Sequence, residues 1–316
     1  MINNCQELDY IYLPKEVMLK DKYLIKESLA DRSNMSIVYL ANDVLDQKEV
    51  VVKEFFIRNL VLRDLDGKSI VCNNPLFKDK FRKAKEAFLD EGRLMKKLEN
   101  EYIARCYDYF EENNTAYLVM KYYKGKNLKE YYADEEFSLD LFLKRIFFPL
   151  LNAVNSIHQL GFIHRDIKPS NIIISKDKPI LIDFGSAINY KLNRKKKILL
   201  TPGFSPIEFY STKAEQGRYS DVYSLTAILY YLLTGVIPIE ASNRIIEDDL
   251  EEVKRLNNQI LDSLNDFIIR NLKLNFERRD KSITSFRLKL KKEYYKSKLM
   301  DFLNTNNTLI SRIFNR

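Results

Sequence analysis

Glycine is scarce in this 316-residue chain, with eight in all and none before Gly67. Histidine and cysteine are scarcer still. Cys5, Cys72 and Cys106 are an odd number without metal-ligand spacing, and His158 and His164 are the only imidazoles, so no zinc cluster can be assembled from the usual set. A reducing cytoplasm is the expected setting. The opening "MINNCQELDYIY" lacks a basic stretch followed by an apolar run, and the longest apolar run, "AILYYLLTGVIPI" (Ala227 to Ile239), is too short to span a bilayer. Neither an export signal nor a membrane span is therefore expected. There is no internal repeat and no long low-complexity tract, which excludes solenoids and disordered linkers.

What is present suits an ordinary folded protein, since 46% of residues are hydrophobic and 30% charged. The formal charge of +8 raises nucleic acid as a partner, but its placement argues against that. From Arg287 onward, eight Lys or Arg face only Glu293 and Asp301, so six of the net charges sit at one end of the chain. No aromatic-interleaved repeat accompanies them, and a solvated helix face accounts for them.

The first part of the chain reads as short strands: "KYLIKESL", "SIVYLANDV", "KEVVVKEF", "IARCYDYFEEN" and "TAYLVMKYY". One helical run, "FKDKFRKAKEAFLDEGRLMKKLE", interrupts them. The second part is mainly helical, with "LDLFLKRIFFPLLNAVNSIHQLG" and "SDVYSLTAILYYLLTG" as its strongest segments. This pattern predicts an α+β protein with a small antiparallel-sheet lobe carrying one main helix, a larger helical lobe, and an active cleft at their junction. The expected divisions are a leader over 1–18, a sheet lobe over 19–122, a helical lobe over 123–290 and a basic tail over 291–316. Within the sheet lobe, residues 57–80 form an insertion, and its Asp66-Gly67 reads as a hairpin turn. The insertion is either surface decoration or a regulatory contact on the helix that follows.

The chemistry concentrates in "HRDIKPSN", His164 to Asn171. Asp166 can accept a hydroxyl proton, Lys168 can sit on a migrating phosphoryl group, and the Asn171 amide oxygen can bind Mg2+. Twelve residues beyond Asn171, "IDFG" offers Asp183 as a second metal ligand and Gly185 for the turn that follows. Taken singly, each of these side chains is an ordinary surface or turn residue. Together, in this order and with this gap, they are a signature.

On these motifs the chain resembles the eukaryotic-like (Hanks-type) serine/threonine protein kinases, over roughly Leu19 to Phe286. The resemblance implies a two-lobed protein kinase fold, ATP as phosphoryl donor, Mg2+ or Mn2+ as its ion, and a protein substrate. "VVVK" makes Lys53 the ligand of the α- and β-phosphates, paired with Glu91 of the helix. "YLVMKYYKG" resembles the hinge, with Met120 as gatekeeper and Lys121 to Tyr123 offering backbone groups to adenine. Val38, Val51 and Ile173 would line the nucleotide. "TPGFSPIE" implies that Thr201 bonds to Asp166 and Lys168, and that Glu208 pairs with Arg279. Asp221 would hold the catalytic loop, while His164 is expected as a packed core residue behind the Asp183-Phe184 turn. The run "VVVKEFF" followed by an insertion is similar to a bacterial branch of the family with a KEFFP-like third strand.

Two stretches depart from the family pattern. In "SLADRSNMSIVYLAND", Asp31, Ser33 and Ser36 stand where three glycines normally cover the phosphates. Glycine tolerates unusual backbone angles and brings N–H groups close to phosphate oxygens, whereas serine there is expected to cost about 1–3 kcal/mol each in strain. Ser33 and Ser36 could still hydrogen-bond phosphate, but the Asp31 carboxylate repels it unless screened. Two readings follow, a working kinase with a stiffer lid and a pseudokinase acting as a nucleotide-binding scaffold or switch. The second departure is "SAINYKLNRKKKILL", which has no Ser or Thr between Ser186 and Thr201, so activation by a phosphate paired with Arg165 is not expected. The "RKKK" run within it reads as solvated rather than as a site for acidic substrates.

Overall fold

The computed structural model describes residues 10–134, 138–192 and 198–314, excluding the side chains of residues 30–33 and 300–314. The chain divides into two units, Met1–Lys124 and Gly125–Arg316.

Alternating apolar residues build the first unit. Strands β1 (Met18–Leu19), β2 (Tyr23–Ser33), β3 (Ser36–Asp43), β4 (Lys48–Phe55), β7 (Cys106–Glu112) and β8 (Thr115–Lys121) form one antiparallel sheet in the order β1-β2-β3-β4-β8-β7. Val50, Val52, Ala116 and Leu118 are buried at its centre, as alternation along half-buried strands requires. Helix α1 (Lys78–Met95) buries Phe81, Phe88 and Leu89, and the rings of Phe81 and Phe88 lie 5.1 and 5.2 Å from Phe55. Its Gly92 permits that approach, because a Cβ there would stand 2.7 Å from Leu118 Cδ2 and 2.9 Å from Tyr109 Cβ.

The insertion is an ordered hairpin, β5 (Val61–Arg63) with β6 (Ile70–Cys72). Gly67 takes φ +69° at the turn, and Asp66 Oδ1 accepts from the Lys68 and Ser69 amides, both at 2.7 Å. Residues ahead of β1 also belong to this core, with Leu13 and Val17 buried in it.

In the second unit, β9 (Lys126–Asn127), β11 (Ile172–Ser175) and β12 (Lys178–Leu181) form a small sheet, and β10 (Phe162–Ile163) pairs with β13 (Ile188–Asn189). Around them stand α2 (Leu128–Asp134), α3 (Leu139–Phe142), α4 (Phe148–Gln159), α5 (Arg218–Thr234), α6 (Val253–Leu256), α7 (Asp262–Asn271) and α8 (Ile283–Phe314). Fourteen of the seventeen residues of helix α5 are buried, which makes it the buried centre of this unit. Its first turn supplies Asp221, which is fully buried yet polar, so its partners decide whether it is tolerated. No helix among the described residues is long and apolar enough to cross a membrane.

Candidate active site

In the first unit, strand register brings four of the residues expected to face a nucleotide together. Val38 lies opposite Lys53, and Val51 opposite Met120, so these four side chains share one face of the sheet. Lys53 Nζ donates to Glu91 Oε1 at 3.0 Å and Oε2 at 3.3 Å, with the two side chains 12% and 2% exposed. The Lys121 side chain is exposed, and its N–H donates to the Arg105 carbonyl at 2.9 Å, which commits that one hinge group within the protein. Tyr123 is half-buried, and its hydroxyl accepts from the Arg105 amide at 3.3 Å.

The glycine-free stretch is a hairpin. Ser33 pairs with Ser36 around a two-residue turn, Asn34-Met35, and the pairing of β2 with β3 slips at three points on the way to it. None of Asn34, Met35 and Ser36 is among the left-handed residues, so the strain anticipated for serine does not arise at Ser36. Ser36 is buried at the start of β3. The side chains of Asp31 and Ser33 lie outside the described residues, as does the "RKKK" run.

In the second unit, Asp166 is the hub. Its Oδ1 accepts from Thr201 Oγ1 at 2.8 Å, its Oδ2 accepts from Asn171 Nδ2 at 2.9 Å, and Lys168 Nζ stands 2.8 Å from Oδ2. Lys168 Nζ also donates to Thr201 Oγ1 at 3.2 Å, which closes a ring of Asp166, Lys168 and Thr201. The Asp166 side chain keeps 18% exposure, and proton exchange with a bound hydroxyl requires such access. Ile173, on β11, is half-buried and pairs with Asn127.

Asn171 Nδ2 donates both to the Asp166 carbonyl and to its Oδ2, each at 2.9 Å, which fixes the amide orientation and leaves its oxygen as an acceptor. The Asp183 carboxylate, twelve residues on, is likewise an oxygen donor. Oxygen donors of this kind are the ligand type that a hard divalent cation takes, with phosphate and water completing its shell. Asp183 and Arg165 both hold left-handed backbone, at φ +63° and +69°. Strained non-glycine residues of this kind persist where the surroundings over-determine them.

At Arg165 those surroundings centre on Asp221. Its Oδ2 accepts from the His164 amide at 2.8 Å and lies 2.7 Å from His158 Nε2, while its Oδ1 accepts from the Arg165 amide at 3.0 Å. Burial works to raise this carboxyl, but the His158 contact and the backbone donors hold it below its ordinary value. His164 is fully buried against Phe184, with ring centroids 4.8 Å apart, and desolvation lowers its pKa despite the nearby carboxylates. A lowered histidine stays neutral in the folded chain while the unfolded chain takes up a proton below about pH 6.5. Stability should accordingly fall as pH drops from 6.5 towards the folded value. His164→Phe, measured by thermal melts from pH 8 to 5, should flatten that decline, and an unchanged slope would mean that the buried imidazole ionises in place.

Sequence reasoning missed a second polar cluster, around Glu54. The signal was available in "VVVKE", where the inward alternation of Val50 and Val52 continues to a carboxylate.

Compared with known proteins, residues 34–295 match the protein kinase domain family. A solved chain described as "PpkA-294 apo form" superposes with a TM-score of 0.77 at 31% identity, over 89% of this chain and 99% of that one. Sperm motility kinase 2A of Mus musculus is 30% identical over 157 residues, 49% of this chain. Calcium-dependent protein kinase 4 of Plasmodium falciparum is 31% identical over 166 residues, 50% of this chain. Each of these alignments spans 31% of the relative's own length. The chain belongs to the protein kinase family, with its antiparallel-sheet N-lobe and helical C-lobe, and the family's chemistry is phosphoryl transfer from ATP.

Proposed function

We propose that this chain is a catalytically competent protein serine/threonine kinase that transfers the γ-phosphoryl group of ATP to Ser or Thr hydroxyls of a protein substrate. The observation that carries the reading is a polar set in each unit: Lys53 pairs with Glu91 in the first, and Asp166 is held by Asn171, Lys168 and Thr201 in the second. Asp166 takes the hydroxyl proton as the oxygen attacks the γ-phosphorus and the bond to the β-phosphate oxygen breaks. Lys168 neutralises charge on the migrating group, Lys53 holds the α- and β-phosphates, and Met120, Val38, Val51 and Ile173 contact the nucleotide. Asn171 and Asp183 would hold Mg2+, which when bound neutralises charge on the β- and γ-phosphates.

Two features support an activity that needs no phosphate on the segment after Asp183. That segment has no Ser or Thr between Ser186 and Thr201, and Arg165 is buried, its guanidinium 3.5 Å from the Ser186 carbonyl and 5.3 Å from the Phe209 ring centre. The "KEFF" strand and the cysteine pattern support a bacterial, cytoplasmic setting. The missing glycines favour the alternative of a nucleotide-binding scaffold, although a turn without left-handed residues weakens that objection. Labelled ATP with Mg2+ or Mn2+, offered with a generic basic substrate, should yield phosphoserine or phosphothreonine. Bound nucleotide without transfer would establish the scaffold instead.

A further inference from the structure

On the sheet face opposite Lys53, strand β4 carries a fully buried ion pair that no step of phosphoryl transfer uses. Glu54 and Arg63 are both 0% exposed. Glu54 Oε1 accepts from Arg63 Nη1 at 2.7 Å and Tyr117 Oη at 3.0 Å, and Oε2 accepts from Arg63 Nη2 at 2.6 Å and Tyr39 Oη at 2.9 Å. Arg63 spends its remaining donors on the Ile11 carbonyl, from Nε at 3.1 Å and Nη2 at 2.7 Å, and on the Lys68 carbonyl at 2.9 Å. The Leu13 amide donates to Tyr39 Oη at 3.0 Å. Burial and the neighbouring carboxylate push both phenols up, so they remain donors. One closed network thus joins the segment before β1, the inserted hairpin and three central strands.

The chain just beyond Glu54 is stitched to the tip of the glycine-free turn. The Phe56 amide donates to the Met35 carbonyl at 3.0 Å, and the Arg58 amide to the Asn34 carbonyl at 3.2 Å. The hairpin is further fixed by the Ile70 amide on the Asn113 carbonyl at 2.9 Å, and the chain then leads through Asn74 into α1, which carries Glu91. A turn without glycine is thereby tied down at its tip, and the hairpin sets the span between the Lys53 strand and the Glu91 helix.

We propose that Glu54 and Arg63 are positioning residues for nucleotide: their buried clasp uses the inserted hairpin to fix β4 and, through Phe56 and Arg58, the Asn34-Met35 turn that replaces the glycine-rich loop. The proposal rests on the nucleotide-binding part of the functional reading and does not require transfer. It accounts for a lid that does without glycine, since the turn is held from outside rather than by backbone freedom. Removing one charge alone would leave the other buried and unpaired, so the test keeps charge balanced.

In the full chain, amide hydrogen exchange should show Phe56 and Arg58 protected as strongly as Val52. Exchange at loop rates in the wild type would overturn the proposal whatever the variants do. Arg63→Lys keeps the charge but loses the five-donor fork, and Glu54→Leu with Arg63→Met removes the pair. In whichever of these folds, exchange at Phe56 and Arg58 should rise, and the KM for ATP should rise about tenfold with the KM for peptide unchanged. Should the wild type transfer nothing, the Kd of a fluorescent ATP analogue replaces the KM, so failure of the kinase reading is seen separately. A folded variant with wild-type exchange and wild-type ATP affinity would reduce the clasp to a structural role.

Discussion

Asp166→Asn should lower phosphoryl transfer by about 10²–10⁴-fold while leaving the melting curve and nucleotide affinity near those of the wild type. The substitution is nearly isosteric, but an amide has one oxygen where the carboxylate has two. With that oxygen turned towards Asn171 Nδ2 at 2.9 Å, the new NH2 faces Thr201 Oγ1 at 2.8 Å, and the hydroxyl can accept from it by rotating its own proton away. What disappears is the basic site and the negative charge beside Lys168. A neutral amide cannot take the proton of an attacking hydroxyl, and Lys168 is left without the carboxylate that orients it. Single-turnover assays with labelled ATP measure the chemical step directly, and analogue binding run in parallel checks the nucleotide. Residual transfer within tenfold of wild type would remove Asp166 from the role of base.

The alternation of "KEVVVKEF" and "TAYLVMK" made the sheet legible because each residue on a half-buried strand reports its own face. The register then set Val38 opposite Lys53 without any side-chain information. The transfer-side residues were legible for a different reason. Asp166, Lys168 and Asn171 lie within six positions, and a short loop with Pro169 constrains them locally. Thr201 and Asp221 lie far along the chain, and only the resemblance brought them to this loop.

The clasp was not legible for the opposite reason. Glu54 and Arg63 stand nine positions apart on different strands, and the remaining partners are backbone carbonyls and phenols on other strands. Strand alternation carries the inward position of Glu54, but no periodicity encodes its partner, and the hairpin reads as either decoration or regulation. The expected strain at the serines did not follow from the sequence either: the strands pair up to Ser33 and Ser36, and Asn34, Met35 and Ser36 all avoid the left-handed backbone that would penalise a side chain.

Arg279→Met should cost about 3–5 kcal/mol, because it strands a carboxylate in the interior of the second unit. Arg279 and Glu208 are 0% and 3% exposed, joined by Nη1 to Oε1 at 2.8 Å and Nη2 to Oε2 at 3.2 Å. Ser220 Oγ adds a bond to Glu208 Oε1 at 2.8 Å, and Arg279 further donates to the Lys273 and Leu274 carbonyls at 2.8 and 2.9 Å. For a domain of this size, about 2–4 °C of melting temperature per kcal/mol makes the expected fall roughly 6–20 °C. The loss should reach the chemistry as well. Glu208 anchors the end of the segment in which the Thr201 amide donates to Ser205 Oγ at 2.8 Å, and that segment holds Thr201 against Asp166. Glu208→Gln with Arg279→Met removes both charges, so its melting temperature should recover a large part of the loss. If the double variant melts no higher than Arg279→Met alone, the penalty comes from lost arginine packing and carbonyl contacts. If it melts higher yet transfers phosphate no faster, the ion pair itself, beyond its contribution to stability, fixes Thr201 at Asp166.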